Sequence, residues 1–199
     1  MRAEDECKSC EFAIVTMRIA GVNSGWIVKS DLTAVQALTW KIRALVAFFI
    51  LALVISGLTA FPLAHELNLL VSLMGIDSNH PVTPGGLPWW ILHVQEGLRV
   101  TYERYPFVAY GTDWLAFAHL VIAVYFLGPL FNPVRNIWVL KAGLVSCVAV
   151  IPLALICGPL RGIPFYWRVI DCSFGVFGAL PLWWALRLTR ALERLEKAK

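Results

Sequence analysis

Four long runs of apolar residues constrain this chain more than any other feature of its sequence. A helix needs about 20 apolar residues to cross a hydrocarbon core about 30 Å thick. The clearest run, residues 44–64, contains no side chain that is charged at pH 7. The pattern predicts an all-α integral membrane protein with four transmembrane helices, at about residues 44–65, 114–132, 137–160 and 164–187.

Composition and charge placement support the same class. Hydrophobic residues make up 59% and charged residues 15% of the 199 residues, whereas soluble domains have about 25% charged residues. The net charge of +4 is compatible with nucleic acid binding, but the lysines and arginines flank the apolar runs. We therefore expect the lipid bilayer and other membrane protein chains as partners, and no nucleic acid.

The fourth transmembrane helix has to include ionisable residues in order to be long enough to cross a bilayer. Its uncharged part, residues 172–186, has fifteen residues, which is too few to cross a bilayer. The helix must therefore include Asp171, and we expect it to include Arg168 as well. Ionisable groups within a membrane segment are costly and are candidates for function.

The distribution of lysine and arginine predicts the orientation, because these residues are enriched on the cytoplasmic side of membrane helices. Thirteen of the seventeen lie on the side of both termini. We expect an inner (plasma) membrane protein with both termini in the cytoplasm and residues 66–112 as a long outer segment. The chain would then comprise a cytoplasmic tail and lead-in helix (1–43), a four-helix membrane domain (44–190) and a basic cytoplasmic tail (191–199).

The outer segment has its own pattern. Residues 76–90 are rich in proline and glycine and are expected to form a loop. After it, apolar residues recur at helical spacing and charged residues occupy the remaining positions. We predict an amphipathic surface helix at about residues 90–105, lying on the outer membrane surface.

The N-terminal region indicates less. Ser30 resembles a helix cap before an amphipathic lead-in helix that would lie along the inner interface. No cleavable signal is evident, so the first span is expected to act as a signal anchor. Cys7 and Cys10 form a CxxC pair without a second ligand pair, which favours two reduced thiols over a zinc site.

Counting residues along the spans places three polar groups at a similar depth in the membrane. His119 is about one helical turn inside the second span, and Asp171 is about 10 Å inside the fourth at a rise of 1.5 Å per residue. His65 ends the first span at the same face. We expect Arg168 to neutralise Asp171 at i and i+3, and His119 to reach Asp171 across the bundle.

Four explanations fit this cluster. A b-type haem would use His65 and His119 as axial ligands, with Arg168 and Asp171 lining the site. A divalent metal would use His93, Glu96 and His119. A purely structural network would fix helix packing, and a proton relay or quinone pocket is the fourth explanation.

The sequence thus favours a small multi-pass subunit, an accessory or cofactor-holding component of a membrane redox or energy-transducing complex. Its polar site, formed by His65, His119, Arg168 and Asp171, would lie at the outer face. The alternative is a stand-alone metal- or haem-dependent membrane enzyme with its site at the outer surface, using Glu103 or Asp171 as proton carrier. Neither substrate nor reaction follows from these residues.

Overall fold

The computed structural model describes residues 33–76 and 83–197, and within these ranges the chain is helical without β-strands. Four segments are long and apolar enough to cross a membrane: Thr33–Ala60, Pro106–Phe131, Ile137–Leu160 and Phe165–Lys197. The helices are α1 (Thr33–Ala60), α2 (Leu63–Leu73), α3 (Leu87–Arg104), α4 (Ala109–Tyr125), α5 (Leu127–Phe131), α6 (Ile137–Leu160) and α7 (Phe165–Lys197), with a 3₁₀ turn at Pro106–Val108.

The four predicted spans are confirmed as helices, with differences at their ends. The third matches its predicted bounds, and the fourth continues through the basic stretch to Lys197. The second begins earlier, at Pro106. The first ends at Ala60, because Phe61 and Pro62 form a turn, and His65 lies in the separate helix α2.

The described part of the predicted lead-in is continuous with the first span. Residues 33–43 belong to α1, and Ile42 is completely buried. This segment is therefore the first part of α1 and not a separate helix, and its position at an interface stays a prediction. Ser30, Cys7 and Cys10 lie outside the described residues.

The hydrophobic core lies at one end of the bundle. Its buried residues come from the first half of α1, the end of α4, the start of α6 and the second half of α7: Ile42, Val46, Phe49, Phe126, Val139, Leu140, Leu182, Ala185, Leu186 and Leu192. These parts lie together, so consecutive long helices run in opposite directions. We call this the tail end, because α1 begins and α7 ends there, and we call the opposite end the loop end.

Small residues allow the long helices to approach closely. A side chain at Gly175 of α7 would meet the backbone oxygen of Cys147 on α6, and one at Gly57 of α1 would meet that of Ala116 on α4. At such positions helices pack backbone to backbone, which is typical of helix contacts within membranes.

Helices α2 and α3 form a cap at the loop end. The side chain of Gln95 on α3 donates a hydrogen bond of 2.8 Å to Asn68 on α2. Helix α3, predicted at about 90–105 and observed at Leu87–Arg104, is joined to α7 where the Tyr166 hydroxyl donates to the Gly86 carbonyl oxygen at 3.2 Å. The cap therefore lies over the end at which the predicted site residues were expected.

Candidate functional site at the loop end of α7

The face of α7 that contacts the other helices, which we call its contact stripe, changes from charged to apolar residues along the helix. From the middle of the α6–α7 contact to the tail end, the stripe contains the buried residues Gly175, Leu182 and Ala185. Extending the same spacing of three or four residues toward the start of the helix gives Asp171 and then Arg168. Both residues are half-buried. The loop-end turns of α7 thus carry a cation and an anion on the stripe that is apolar further along.

Arg168 packs against the end of α6. Its methylene groups occupy the space that a side chain at Gly158 would fill. The centre of its guanidinium group lies 5.2 Å from the ring centroid of Phe165, a cation–π geometry. Its Nε is buried without a hydrogen-bond partner. An unsatisfied buried donor costs free energy, so Arg168 has an unused capacity to donate to an acceptor.

Asp171 has no ionic or hydrogen-bond partner among the described side chains. The ion pairs among the described residues join Arg99 to Glu96 and Glu103, and Lys197 to Glu193. In contrast to the sequence expectation, Arg168 does not pair with Asp171, although the i and i+3 spacing allows it. The structure therefore brings the two residues to one stripe but gives neither an ionic partner among the described residues.

His119 lies at the contact between α4 and α1. Its Nδ1 is 2.8 Å from the carbonyl oxygen of Leu115, one turn earlier in α4. A carbonyl oxygen only accepts, so Nδ1 is the donor of this hydrogen bond. The Cβ of His119 faces Gly57 of α1. The expected hydrogen bond between His119 and Asp171 is not formed within the described residues.

His65 is exposed on α2. It lies eight residues after Gly57, the α1 residue that His119 faces. No contact joins the two imidazole rings in the described ranges. The bis-histidine haem site, with Arg168 and Asp171 as lining residues, therefore stays a prediction.

The residues proposed as metal ligands have other contacts. Glu96 accepts hydrogen bonds of 2.7 and 2.9 Å from Arg99, which lower the pKa of its carboxyl group. The ring of His93 stacks on Trp89 at 5.1 Å. Within residues 33–76 and 83–197, no group of three or more His, Cys, Asp or Glu side chains is arranged to hold a metal ion. His93, Glu96 and His119 thus do not form such a group, and the metal assignment also stays a prediction.

Sequence reasoning missed an apolar cleft at the tail end. The cleft has a volume of about 560 Å³ and is bounded by Phe49 and Leu53 of α1, Tyr125 and Phe126 of α4, and an α6 stripe from Trp138 to Val150. The small residues Ala142, Gly143 and Ser146 at helical spacing were the available signal. This pattern of small residues did not predict a cleft, because the sequence does not show which helices face α6.

Comparison with known protein families, with curated proteins and with solved structures found no match for this chain.

Proposed function

We propose that this chain is an integral membrane subunit whose loop-end half of α7 binds another membrane chain. The observation that carries this proposal is the pair Arg168 and Asp171, which lack ionic partners on the stripe that otherwise forms helix contacts. An ionised group costs about 2.5–3.5 kcal/mol at the centre of a membrane helix on insertion scales, and Arg168 and Asp171, in the first two turns of α7, bear part of this cost. Complementary polar groups of a partner chain would offset this cost.

The low burial of the spans supports the same proposal. Only 17–22% of the residues in each apolar window are buried inside the chain. The remaining faces meet lipid or other chains. Arg168 and Asp171 are only half-buried beside the α6 contact, which favours other chains, because lipid tails offer no polar partner. The proposed role is thus an accessory component of a larger assembly.

Membrane insertion and orientation are part of the proposal. The four apolar segments support insertion. The excess of lysine and arginine beside the termini supports a cytoplasmic tail end, with the loop end on the outer face of the inner (plasma) membrane. A redox or energy-transducing role for the assembly, and its sequence-based alternative of a stand-alone haem or metal enzyme, stay predictions.

The experiment compares Asp171→Asn with Ser173→Ala. Ser173 lies on the same helix, but its hydroxyl donates to the Ile170 carbonyl oxygen of its own helix at 2.6 Å, so its loss leaves partners unaffected. The tagged full-length chain is extracted from its native membrane with mild detergent. A photoreactive residue replaces the exposed Phe174, and the mass of the assembly and its cross-links are measured.

We expect the unsubstituted chain and Ser173→Ala to form the same cross-linked heteromeric complex. A polar contact between membrane helices is worth about 1–2 kcal/mol, so Asp171→Asn should weaken the complex roughly tenfold. Arg168→Gln should do the same. A chain that migrates alone in mild detergent, or complexes equally strong in Asp171→Asn and Ser173→Ala, would contradict the proposal.

A further inference from the structure

The apolar cleft at the tail end has the length of one membrane leaflet. Along α6 its wall runs from Trp138 to Val150, which is about 18 Å at a rise of 1.5 Å per residue. Half of a hydrocarbon core is about 15 Å thick. The cleft thus begins at the tail end, where α6 starts, and ends near the middle of the helices.

The lining of the cleft suits a flexible apolar occupant. Small residues on α6, among them Ala142 and Gly143, face aromatic rings of α1 and α4. The hydroxyl of Ser146 donates to the Ala142 carbonyl oxygen at 3.0 Å, so it is already satisfied. The volume of about 560 Å³ lies in the range of small-molecule sites, about 300–1,000 Å³. A quinone ring at this depth would lack a hydroxyl partner from Ser146.

Amphipathic side chains line the mouth of the cleft, and a cationic residue precedes it in the sequence. Trp138 at the start of α6 and Tyr125 near the end of α4 line it. Among the described residues, the indole N–H of Trp138 and the hydroxyl of Tyr125 have no hydrogen-bond partner. Arg135 is exposed in the turn immediately before α6. Such rings and cations are typical of the headgroup level, where cations attract anionic lipids.

From these observations we infer that the cleft binds one acyl chain of an anionic phospholipid of the tail-end leaflet. Trp138 and Tyr125 donate hydrogen bonds to its ester or phosphate oxygens, and Arg135 attracts its negative charge. This inference rests on the proposed membrane insertion, but it is independent of the partner-binding role of α7. A partner helix fits the cleft less well, because it would span about 30 Å and the cleft covers about half of that length.

The first test uses the unsubstituted full-length chain in detergent with phosphatidylglycerol that carries a photoreactive group in the middle of one acyl chain. We expect the cross-links to concentrate on the cleft-lining residues of α1, α4 and α6, such as Leu53 and Val150. Phosphatidylcholine with the same label should cross-link less. Labels that scatter over all outward faces of the four helices would overturn the inference.

The second test fills the cleft. Ser146→Phe places a ring in it, whereas Val145→Phe places the same ring on a face that is 69% exposed and outside the cleft. Ser146→Phe should lose the phosphatidylglycerol that is retained at about one molecule per native chain, and Val145→Phe should keep it. Equal retention by two folded variants would overturn the inference. If Ser146→Phe fails to fold, the cross-linking positions decide.

The third test addresses headgroup selectivity. A cation near the membrane surface favours an anionic lipid by an energy that corresponds to about a fivefold preference. Arg135→Gln should therefore reduce the preference for phosphatidylglycerol over phosphatidylcholine about fivefold without moving the cross-links. An unchanged preference would overturn the anionic part of the inference. Membrane insertion is measured separately by resistance to alkaline extraction, so its failure is distinguishable from a failure at the cleft.

Discussion

The two halves of the α6–α7 hairpin are built from different residues, although they belong to the same pair of helices. At the tail end, Leu140 and Leu182 are completely buried, and Phe126 and Leu182 close over Gly143. At the loop end, the corresponding stripe of α7 holds Asp171 and Arg168, which have no ionic partner among the described residues. The tail-end contact between α6 and α7 is thus formed by apolar side chains, whereas the loop-end contact includes two charged side chains without an ionic partner.

The difference indicates that the tail-end half stabilises the fold and that the loop-end half is suited to binding. Because lipid tails are as apolar as leucine, helix association in a membrane has no hydrophobic driving force and depends on close packing, hydrogen bonds between helices and lipid entropy. The tail-end half supplies this packing. The loop-end half contributes unsatisfied polar groups, which cost stability in the isolated chain and provide specificity when a partner binds. The predictions below test whether the two halves differ in this way.

The largest effect is expected in the tail-end core. Leu182→Ala should destabilise the chain by about 2 kcal/mol, the low end for leucine in a core, because the side chain loses packing but no hydrophobic transfer out of water. Leu180→Ala is the matched control, since Leu180 is 57% exposed on the same helix. Unfolding of the detergent-solubilised chain by an anionic detergent, followed by circular dichroism, measures both. Equal destabilisation by the two substitutions would contradict the assignment of Leu182 to the core.

The next effect compares two glycines at the α6–α7 contact. An alanine at 175 would meet the backbone of Cys147, which cannot move independently, whereas an alanine at 158 would meet the flexible methylenes of Arg168. Gly175→Ala should therefore cost about 1–3 kcal/mol, and Gly158→Ala should cost less. The same unfolding assay compares them. If Gly158→Ala is the more harmful substitution, the loop end of the α6–α7 contact is packed at least as rigidly as its middle.

The long helices were predictable from the sequence because run length alone determines whether a segment can span. The third predicted span matched α6 because Asn136 and Arg161 flank the apolar run. The end of the first span was misplaced because a turn at Phe61–Pro62 interrupts a run that is apolar throughout. Periodicity also did not distinguish an interfacial lead-in from the first turns of α1, since Ile42 suits either position.

The candidate site was harder to predict than the helices. Depth follows from counting residues along a helix, but the direction of each side chain around the axis depends on which helices are neighbours. Counting thus brought Arg168 and Asp171 to one stripe. It did not show that Arg168 would pack on Gly158 and Phe165 in place of Asp171.

The smallest effect is expected in the loop-end cap and depends on pH. Hydrogen bonds from Arg99 lower the pKa of Glu96, and those from Glu96 and Glu103 raise the pKa of Arg99. A carboxyl group with a lowered pKa in the folded state stabilises that state above the ordinary glutamate value of about 4.3. The contribution is lost as the pH falls through the lowered value. It is small, because all three side chains are exposed to solvent.

Amide hydrogen exchange of α3, corrected for the intrinsic effect of pH, measures this contribution. Protection of the turns around Arg99 should fall on acidification of the native chain, and Glu96→Gln should weaken that dependence. Glu66→Gln is the control, because Glu66 carries the same charge in the cap without a side-chain partner among the described residues. Protection in the tail-end half of α6 should stay constant, since its packing involves no carboxyl group of the cap. If α6 loosens together with α3, the cap and the tail-end core form one cooperative unit, and the division between the two halves does not hold.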